Sequence, residues 1–266
     1  MKSVHSLMDM SGKVAMVTGA TGNLGHVIAE TIAELNGSLV LLDKPNSNFD
    51  LITDRLKKNF DIKILCYECD FECEKSRNST FHTLSKDIDS LNCLINNAAF
   101  TSSSNLDGWS CPFEEQSIFT MKRAFEVNLT AVFHLSKTIT PILKKTGKGS
   151  IINISSIYGK YAPDWSLYQD TTLSNPAGYA LSKAAIDQLT RWLATTIAPE
   201  IRVNAISPGG IYRKQDRNFV NKYSQKTPLG RMACENDLKG AIAYLASDLS
   251  EYVTGQILEV NGGWGI

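Results

Sequence analysis

Tyr179 and Lys183 stand four residues apart in Tyr179-Ala180-Leu181-Ser182-Lys183. That separation brings two side chains onto one face of a helix, one turn from each other. A phenol that titrates at about pH 10 is a poor acid or base at neutrality. An ammonium held beside it favours the phenolate and draws the pKa toward the working range, which makes the pair a general acid/base device. The same spacing also fits a half-buried tyrosine with its lysine in solvent, so the pair takes its meaning from the rest of the chain.

A second chemical signal lies near the N-terminus. The apolar run Lys13 to Thr18 leads into Thr18-Gly19-Ala20-Thr21-Gly22-Asn23-Leu24-Gly25, and an amphipathic stretch follows to about Leu35, closed by Asn36-Gly37. Strand, glycine turn and helix form the context in which backbone approaches a pyrophosphate and a helix N-terminus receives its charge. Gly19, Thr21, Asn23, Leu24 and Gly25 are therefore candidates for holding a dinucleotide, with a purely structural turn as the competing reading. Ser38 to Leu42 reads as the next strand and ends at Asp43. An acidic residue there binds the ribose hydroxyls of NAD and repels the extra phosphate of NADP. Lys44 offsets part of that repulsion. NAD is the expected cofactor and NADP the second choice, while a solvated loop carboxylate is the alternative reading of Asp43.

The elements that must carry these residues alternate. Asp50 to Asn59 reads as a polar helix and Lys63 to Tyr67 as a third strand, followed by Asp70-Phe71, a carboxylate and an aromatic able to flank an adenine. A helix over Ser76 to Ser90 precedes a strand over Leu91 to Ile95, which ends in Asn96-Asn97-Ala98-Ala99. The small residues leave room for a ligand against the backbone, and an asparagine amide can brace the neighbouring turn. Further on, helices are expected at Ser117 to Thr140, Tyr179 to Ala198 and Leu238 to Ala246, with strands at Ser150 to Ile154, Arg202 to Ile206 and Gln256 to Val260. This predicts an α/β fold: a Rossmann-type doubly wound parallel sheet of about seven strands with helices on both faces and its ligand at the strands' carboxyl ends. No repeat or linker interrupts the pattern, so residues 1–266 are expected to form a single dinucleotide-binding catalytic domain.

Composition narrows the partners. Twenty-seven Lys and Arg balance 27 Asp and Glu, which argues against nucleic acid or an anionic membrane as the main partner. No apolar run approaches the roughly 18 residues of a membrane span, and Met1 to Gly12 lacks the apolar core of a signal peptide. Six cysteines include Cys66-Tyr67-Glu68-Cys69 and nearby Cys73, but there is no second such pair and no suitably spaced histidine. No metal site is therefore expected, and the thiols read as reduced in a cytoplasmic protein.

Taken together, the motifs resemble the short-chain dehydrogenase/reductase family in its single-domain branch. The resemblance rests on the glycine turn at 18–25, Asp70, Asn97-Ala98-Ala99, Asn128, Ser155-Ser156, Tyr179 with Lys183, Ser207-Pro208-Gly209-Gly210-Ile211, and Gly255 with Asn261-Gly262-Gly263. It implies hydride transfer between a nicotinamide cofactor and a secondary alcohol or ketone. Tyr179 would be the general acid/base, Lys183 would lower its pKa and hold the nicotinamide ribose, Ser156 would orient the substrate oxygen, and Asn128 would hold a water in a proton path to the lysine. Pro208, Gly209 and Ile211 join the cofactor-binding set on the same ground. The resemblance also implies a homodimer or homotetramer built on the helices that carry Asn128 and Tyr179. Within the family, the segment after Ser155-Ser156-Ile157-Tyr158-Gly159 is similar to dehydrogenases linked to flagellin modification and bacterial surface sugars.

Three departures from the family pattern bear on function. Asn23 stands where the family usually carries glycine; asparagine tolerates unusual backbone angles better than most residues. Ser156 and Tyr179 are 23 residues apart, more than is usual, and the segment 157–178 carries Tyr158, Tyr161, Asp164, Trp165, Tyr168, Gln169 and Asp170. A polar-aromatic wall or lid of that kind suits a sugar better than a steroid or acyl chain; a surface loop unrelated to substrate is the alternative. Arg213 replaces a threonine that touches the nicotinamide amide, and an arginine there would grip a phosphate or carboxylate. The polar stretch Tyr212 to Gly230 is expected to be a mobile substrate loop. Two other functions stay open: NADPH-dependent reduction of unrelated small carbonyl compounds, and a non-catalytic dinucleotide-binding regulator.

Overall fold

The structure, a computed structural model, describes residues 1–171 and 173–266. Its framework is one seven-stranded, all-parallel sheet: β1 (Val14–Thr18), β2 (Ser38–Asp43), β3 (Ile64–Glu68), β4 (Cys93–Asn96), β5 (Gly149–Ile154), β6 (Ile201–Pro208) and β7 (Ile257–Val260), in the order β3-β2-β1-β4-β5-β6-β7. The strand order reverses between β1 and β4, and that switch point is where an open α/β sheet receives a ligand.

Alternate residues of each strand feed two cores, as the two-residue period of a strand requires. Ala15, Val17, Leu39, Leu41, Ile95 and Ile152 pack with Ile28 and Ile32 of α2 (Asn23–Glu34) and with Ile242 of α9 (Lys239–Ala246). Met16, Val40, Leu42, Leu94 and Ile151 face the other way. They meet Phe81 and Leu84 of α4 (Glu74–Asp87), Leu135 and Ile139 of α6 (Ala131–Lys144) and Leu193 of α7 (Ala177–Thr196). Polar α3 (Asp50–Asn59) follows β2 and buries Ile52 and Leu56. A short α1 (Val4–Met8), which the sequence pattern does not reveal, precedes the sheet.

Two expectations need correction. The helix read as continuous from Ser117 to Thr140 begins as α5 (Ile118–Phe125), passes through a π turn over Glu126–Thr130, and continues as α6 to Lys144. Inserting one residue into the helical ladder bulges it locally, and the bulge carries Asn128. The stretch from Tyr212 to Gly230 is not simply a loop, because it contains α8 (Arg217–Lys226). Asp216 caps that helix by accepting hydrogen bonds from Asn218 N–H (2.8 Å) and Phe219 N–H (3.2 Å). Phe219 and Tyr223, four residues apart, are buried on one face of it.

Candidate active site

The glycine turn at the end of β1 is set by close backbone approach. Gly19 takes a positive φ of 65°, and a Cβ there would sit 2.9 Å from Ala98 Cα. A Cβ on Gly25 would fall 2.1 Å from Gly19 O and 2.8 Å from Ala20 Cα, so only glycine lets α2 start this near the turn. Asn97 braces the turn as expected: its Nδ2 donates to Thr18 O and Gly19 O, both at 3.0 Å. Thr18, which the motif reading passes over, accepts at its Oγ1 from the N–H groups of Asn97 and Ala98, each at 3.0 Å. A threonine at a strand's carboxyl end was the available signal. Asn23 needs no special tolerance. It is the first residue of α2, exposed and with ordinary helical backbone, while Gly22 caps the helix at φ −77°.

Asp43 reaches back over this turn. Its Oδ2 accepts from Thr21 N–H (2.8 Å) and the Thr21 hydroxyl (2.7 Å), while Oδ1 accepts from Lys44 N–H (2.8 Å). The carboxylate is thereby held at the mouth of the glycine cradle. Asp70 follows β3 and accepts at Oδ1 from Glu72 N–H (3.0 Å). Phe71, next in the chain, is largely buried and belongs to the same core cluster as Val40 and Leu42. At the other side of the crevice β6 runs out through Pro208. Gly209 N–H donates to Val260 O (3.0 Å), and Ile211 bridges to Ala233.

The acid/base residues gather at the end of β5. Lys183 is buried, and its Nζ donates to Ile154 O at 2.7 Å while standing 5.8 Å from the centroid of the Tyr179 ring. Burial pushes this ammonium down to about 8, and the Asp187 carboxylate opposes that fall. Burial likewise pushes the Tyr179 phenol up, while the neighbouring Ser156 hydroxyl and the Arg213 guanidinium pull it down. Desolvation outweighs the Ser156 hydroxyl and the Arg213 guanidinium, so the phenol lies above its ordinary value and not below it as expected. The lysine's charge is directed at the Ile154 carbonyl.

Asn128 is hydrogen-bonded through both polar atoms of its side chain. Its Oδ1 accepts from Phe100 N–H (2.7 Å), and its Nδ2 donates to Phe100 O (3.0 Å) and to Ser182 Oγ (3.0 Å). The side chain thus ties the π turn to the segment after β4 and to the residue beside Lys183. Ser182 and Asp187 are additional members of this buried group. Ser182 lay inside the motif, but its contact spans 54 positions and no local pattern announces it. Asp187 sits one turn after Lys183, and burial pushes its carboxyl up.

Residues 157–178, apart from Thr172, which lies outside the described residues, lie beside this group. Ser156 Oγ accepts from Tyr158 N–H at 3.2 Å, and the hydroxyls of Tyr158 and Tyr168 meet at 2.5 Å. An aromatic series joins the segment to α8 and the C-terminus: Trp165 to Tyr168 (5.6 Å), Tyr168 to Phe219 (5.5 Å), Phe219 to Tyr223 (6.0 Å) and Tyr223 stacked on Trp264 (4.5 Å). Lys226 pairs with Asp164, and Tyr223 Oη accepts from Gly210 N–H at 2.6 Å. The segment read as a lid and the segment read as a substrate loop are therefore packed as one layer. Arg213 is exposed, and its Nε donates to Glu235 at 3.0 Å.

Among the described residues no cluster of His, Cys, Asp and Glu is arranged to hold a metal, and no helix is long and apolar enough to cross a membrane. The family model described as "Enoyl-(Acyl carrier protein) reductase" matches residues 19–265. Post-translational flagellin modification protein A of Campylobacter coli is 30% identical over 97% of this chain and 100% of its own length. A short-chain dehydrogenase from Leptospira borgpetersenii, solved with bound NAD+, is 33% identical with a TM-score of 0.83, covering 100% of this chain and 97% of that one. The NADPH-dependent 3-quinuclidinone reductase from Rhodotorula rubra is 31% identical, also with a TM-score of 0.83, covering 100% and 96%.

Proposed function

This chain belongs to the short-chain dehydrogenase/reductase family of oxidoreductases, and we propose that it interconverts a secondary alcohol and a ketone of a sugar or sugar derivative, with Tyr179 as general acid/base. The observation that carries the reading is Lys183, buried with its ammonium on the last carbonyl of β5 and beneath the Tyr179 ring, while Ser156 lies at the phenol. The glycine cradle fits a dinucleotide, because any Cβ at Gly25 would fill the space that lets the helix N-terminus approach the turn. A nicotinamide cofactor, when bound, supplies or takes the hydride.

The chain's own residues would hold and move the proton. In reduction the Tyr179 hydroxyl donates to the substrate oxygen, which the Ser156 hydroxyl orients. The raised phenol is well suited to remain protonated until that moment. Lys183 then stabilises the phenolate, and Asn128 fixes the helix that carries both. In oxidation the same atoms act in the opposite sense. Asp43, Thr21, Asn97, Ala98, Ala99 and the Pro208-to-Ile211 turn would hold the cofactor. The carboxylate of Asp43 favours NAD, supported by its fixed position over the turn. A homodimer or homotetramer through α5 to α7 is part of this reading. It is supported by the exposed apolar side chains Phe119, Phe133, Leu181 and Trp192, and a monomer by light scattering would remove it.

The test is Tyr179→Phe, assayed against calorimetric titrations with NADH and NADPH. Turnover is expected to fall about 10²–10⁴-fold with cofactor affinity kept. Retained turnover would exclude Tyr179 as the acid/base. Tighter NADPH than NADH binding in the unaltered protein would exclude Asp43 as the determinant of cofactor choice.

A further inference from the structure

Two ion pairs cross between the segment after β3 and the helix that leads to Asn128, and hydride transfer gives neither a role. Arg77, in the first turn of α4, is buried. Its Nη1 donates to Phe71 O (2.6 Å) and Glu72 O (3.1 Å), and its Nη2 donates to Glu126 Oε2 (3.0 Å). Glu126 is the first residue of the π turn, two before Asn128. In the opposite sense, Arg123 of α5 reaches the Glu72 carboxylate with both Nε (2.6 Å) and Nη2 (3.1 Å), a bidentate pair. The order of charge is reversed between the two pairs. Sliding α5 by one turn would set Arg77 against Arg123 and Glu72 against Glu126, so the register is fixed. Among the described residues Glu126 is the one carboxylate paired with the Arg77 guanidinium, and parting them would leave a buried charge uncompensated.

Both ends of this brace lie on the crevice. Cys69 N–H donates to Asp43 O at 2.7 Å, so Asp70 and Glu72 continue from a strand end that adjoins Asp43. Asp70 Oδ1 in turn accepts from Glu72 N–H. A small cavity at the switch point between β1 and β4 is lined by Thr18 and Ala98, by Phe71 from the braced segment and by Val127 from the π turn. Past Val127, Asn128 holds Phe100 and Ser182, the residue before Lys183. Hydrogen bonds and adjacent residues thus connect the Asp43 strand end to the acid/base pair without a gap.

In the dinucleotide reading Asp43 holds the adenosine ribose, whereas the proton moves at Tyr179. Binding energy gained at the first place can raise the rate at the second only if the two are mechanically joined. We propose that Arg77 is that joint: a positioning residue that makes the segment after β3 and the π turn respond as one unit, so that occupation of the adenosine half of the site orders the turn carrying Asn128. The competing role is that of a strut, which holds the two segments together equally well with and without ligand. The proposal rests on the dinucleotide reading of the crevice.

The test is hydrogen exchange at the backbone amides of residues 126–130, with and without saturating ADP-ribose, a fragment of the dinucleotide that lacks nicotinamide. Calorimetry sets the saturating concentration separately for the unaltered protein, Glu126→Ala and Glu126→Gln. ADP-ribose is expected to slow exchange at 126–130 about tenfold in the unaltered protein, less than about twofold in Glu126→Ala, and by an intermediate factor in Glu126→Gln, which keeps an acceptor for Arg77. Glu126 is half-exposed and glutamine preserves its shape, so a poorly folding Glu126→Ala does not rescue the idea. A strut alone would speed exchange by the same factor in both states, and an undiminished response to ADP-ribose in either variant would overturn the proposal. ADP-ribose that binds the unaltered protein without slowing 126–130 would overturn it too, and would keep the dinucleotide reading. No binding of ADP-ribose to the unaltered protein would overturn that reading and the proposal together.

Discussion

The glycine turn on one side of the crevice is held by backbone against backbone, whereas the wall on the other side is held by side chains drawn from four separate stretches. At the turn the decisive contacts are Gly19 against Ala98 and Gly25 against Gly19 O, with neutral hydrogen bonds from Asn97 and Thr18 closing the arrangement. At the wall, residues 157–178, α8, the Gly209-Gly210 turn and the C-terminal Trp264 meet through rings and hydroxyls. Between them stand Tyr179, Lys183 and Asp187, whose ionisation is shifted by burial in every case. A binding site for one constant ligand can be built from geometry that tolerates no Cβ. A site for a particular substrate is built from side chains that can be exchanged without disturbing the sheet.

If that contrast is right, the largest effect comes from adding one carbon to the turn. Gly25→Ala places a methyl 2.1 Å from Gly19 O and 2.8 Å from Ala20 backbone, none of which is a flexible side chain. The turn must open, and a displacement of this order at a binding site costs about 100-fold. Affinity for NADH and NADPH by calorimetry is expected to fall by at least that factor. Gly240→Ala, where nothing lies within 4 Å, is expected to leave it unchanged. Wild-type affinity in Gly25→Ala would show that the turn yields, and that the cofactor side is no stiffer than the wall.

What the sequence discloses follows the same division. Apolar runs such as Val14–Thr18 and Gly149–Ile154 are readable because a parallel strand buried on both faces needs nearly every residue apolar. The glycine turn is readable because strand, turn and helix are adjacent in the chain. The wall is not, since Tyr223 and Trp264 stack across 41 positions, and no periodicity carries that contact. α8 was hidden by its polar composition, although Phe219 and Tyr223 at a four-residue spacing were its one trace. The π turn at Glu126–Thr130 was hidden for another reason: the apolar spacing on either side is that of an ordinary helix.

A smaller effect sharpens the electrostatic side of the comparison. The folded-state pKa of Lys183, at about 8, lies below its ordinary value of 10.5. Between these values the unfolded chain binds the proton that the fold has lost, so stability rises with pH across that window. Below pH 8 the buried charge weighs fully against the fold, and above pH 10.5 its penalty is gone. Lys183→Met is therefore expected to stabilise the ligand-free protein by about 2 kcal/mol at pH 7, after allowance for the lost bond to Ile154 and the lost support of Asp187. That gain should vanish near pH 10.5, as chemical denaturation at the two pH values would measure. Destabilisation of equal size at both would mean that packing, and not desolvation, governs this position.

The smallest effect is the most discriminating for the turn itself. A loop that owed its shape to glycine at every customary position would improve on Asn23→Gly. Here Asn23 is exposed, opens α2 with helical backbone, and has no positive φ to be relieved. Glycine would therefore contribute only its greater freedom in the unfolded chain, a loss of about 0.5 kcal/mol or less at a helix terminus, where part of the interior penalty applies. The denaturation midpoint is expected to shift slightly downward and the calorimetric affinity for NADH to stay the same. A clear gain in affinity would show that the amide hinders the approach of a pyrophosphate to the N-terminus of α2. The cradle would then be defined by side chains as well as backbone, and the contrast between the two sides of the crevice would narrow to the aromatic wall alone.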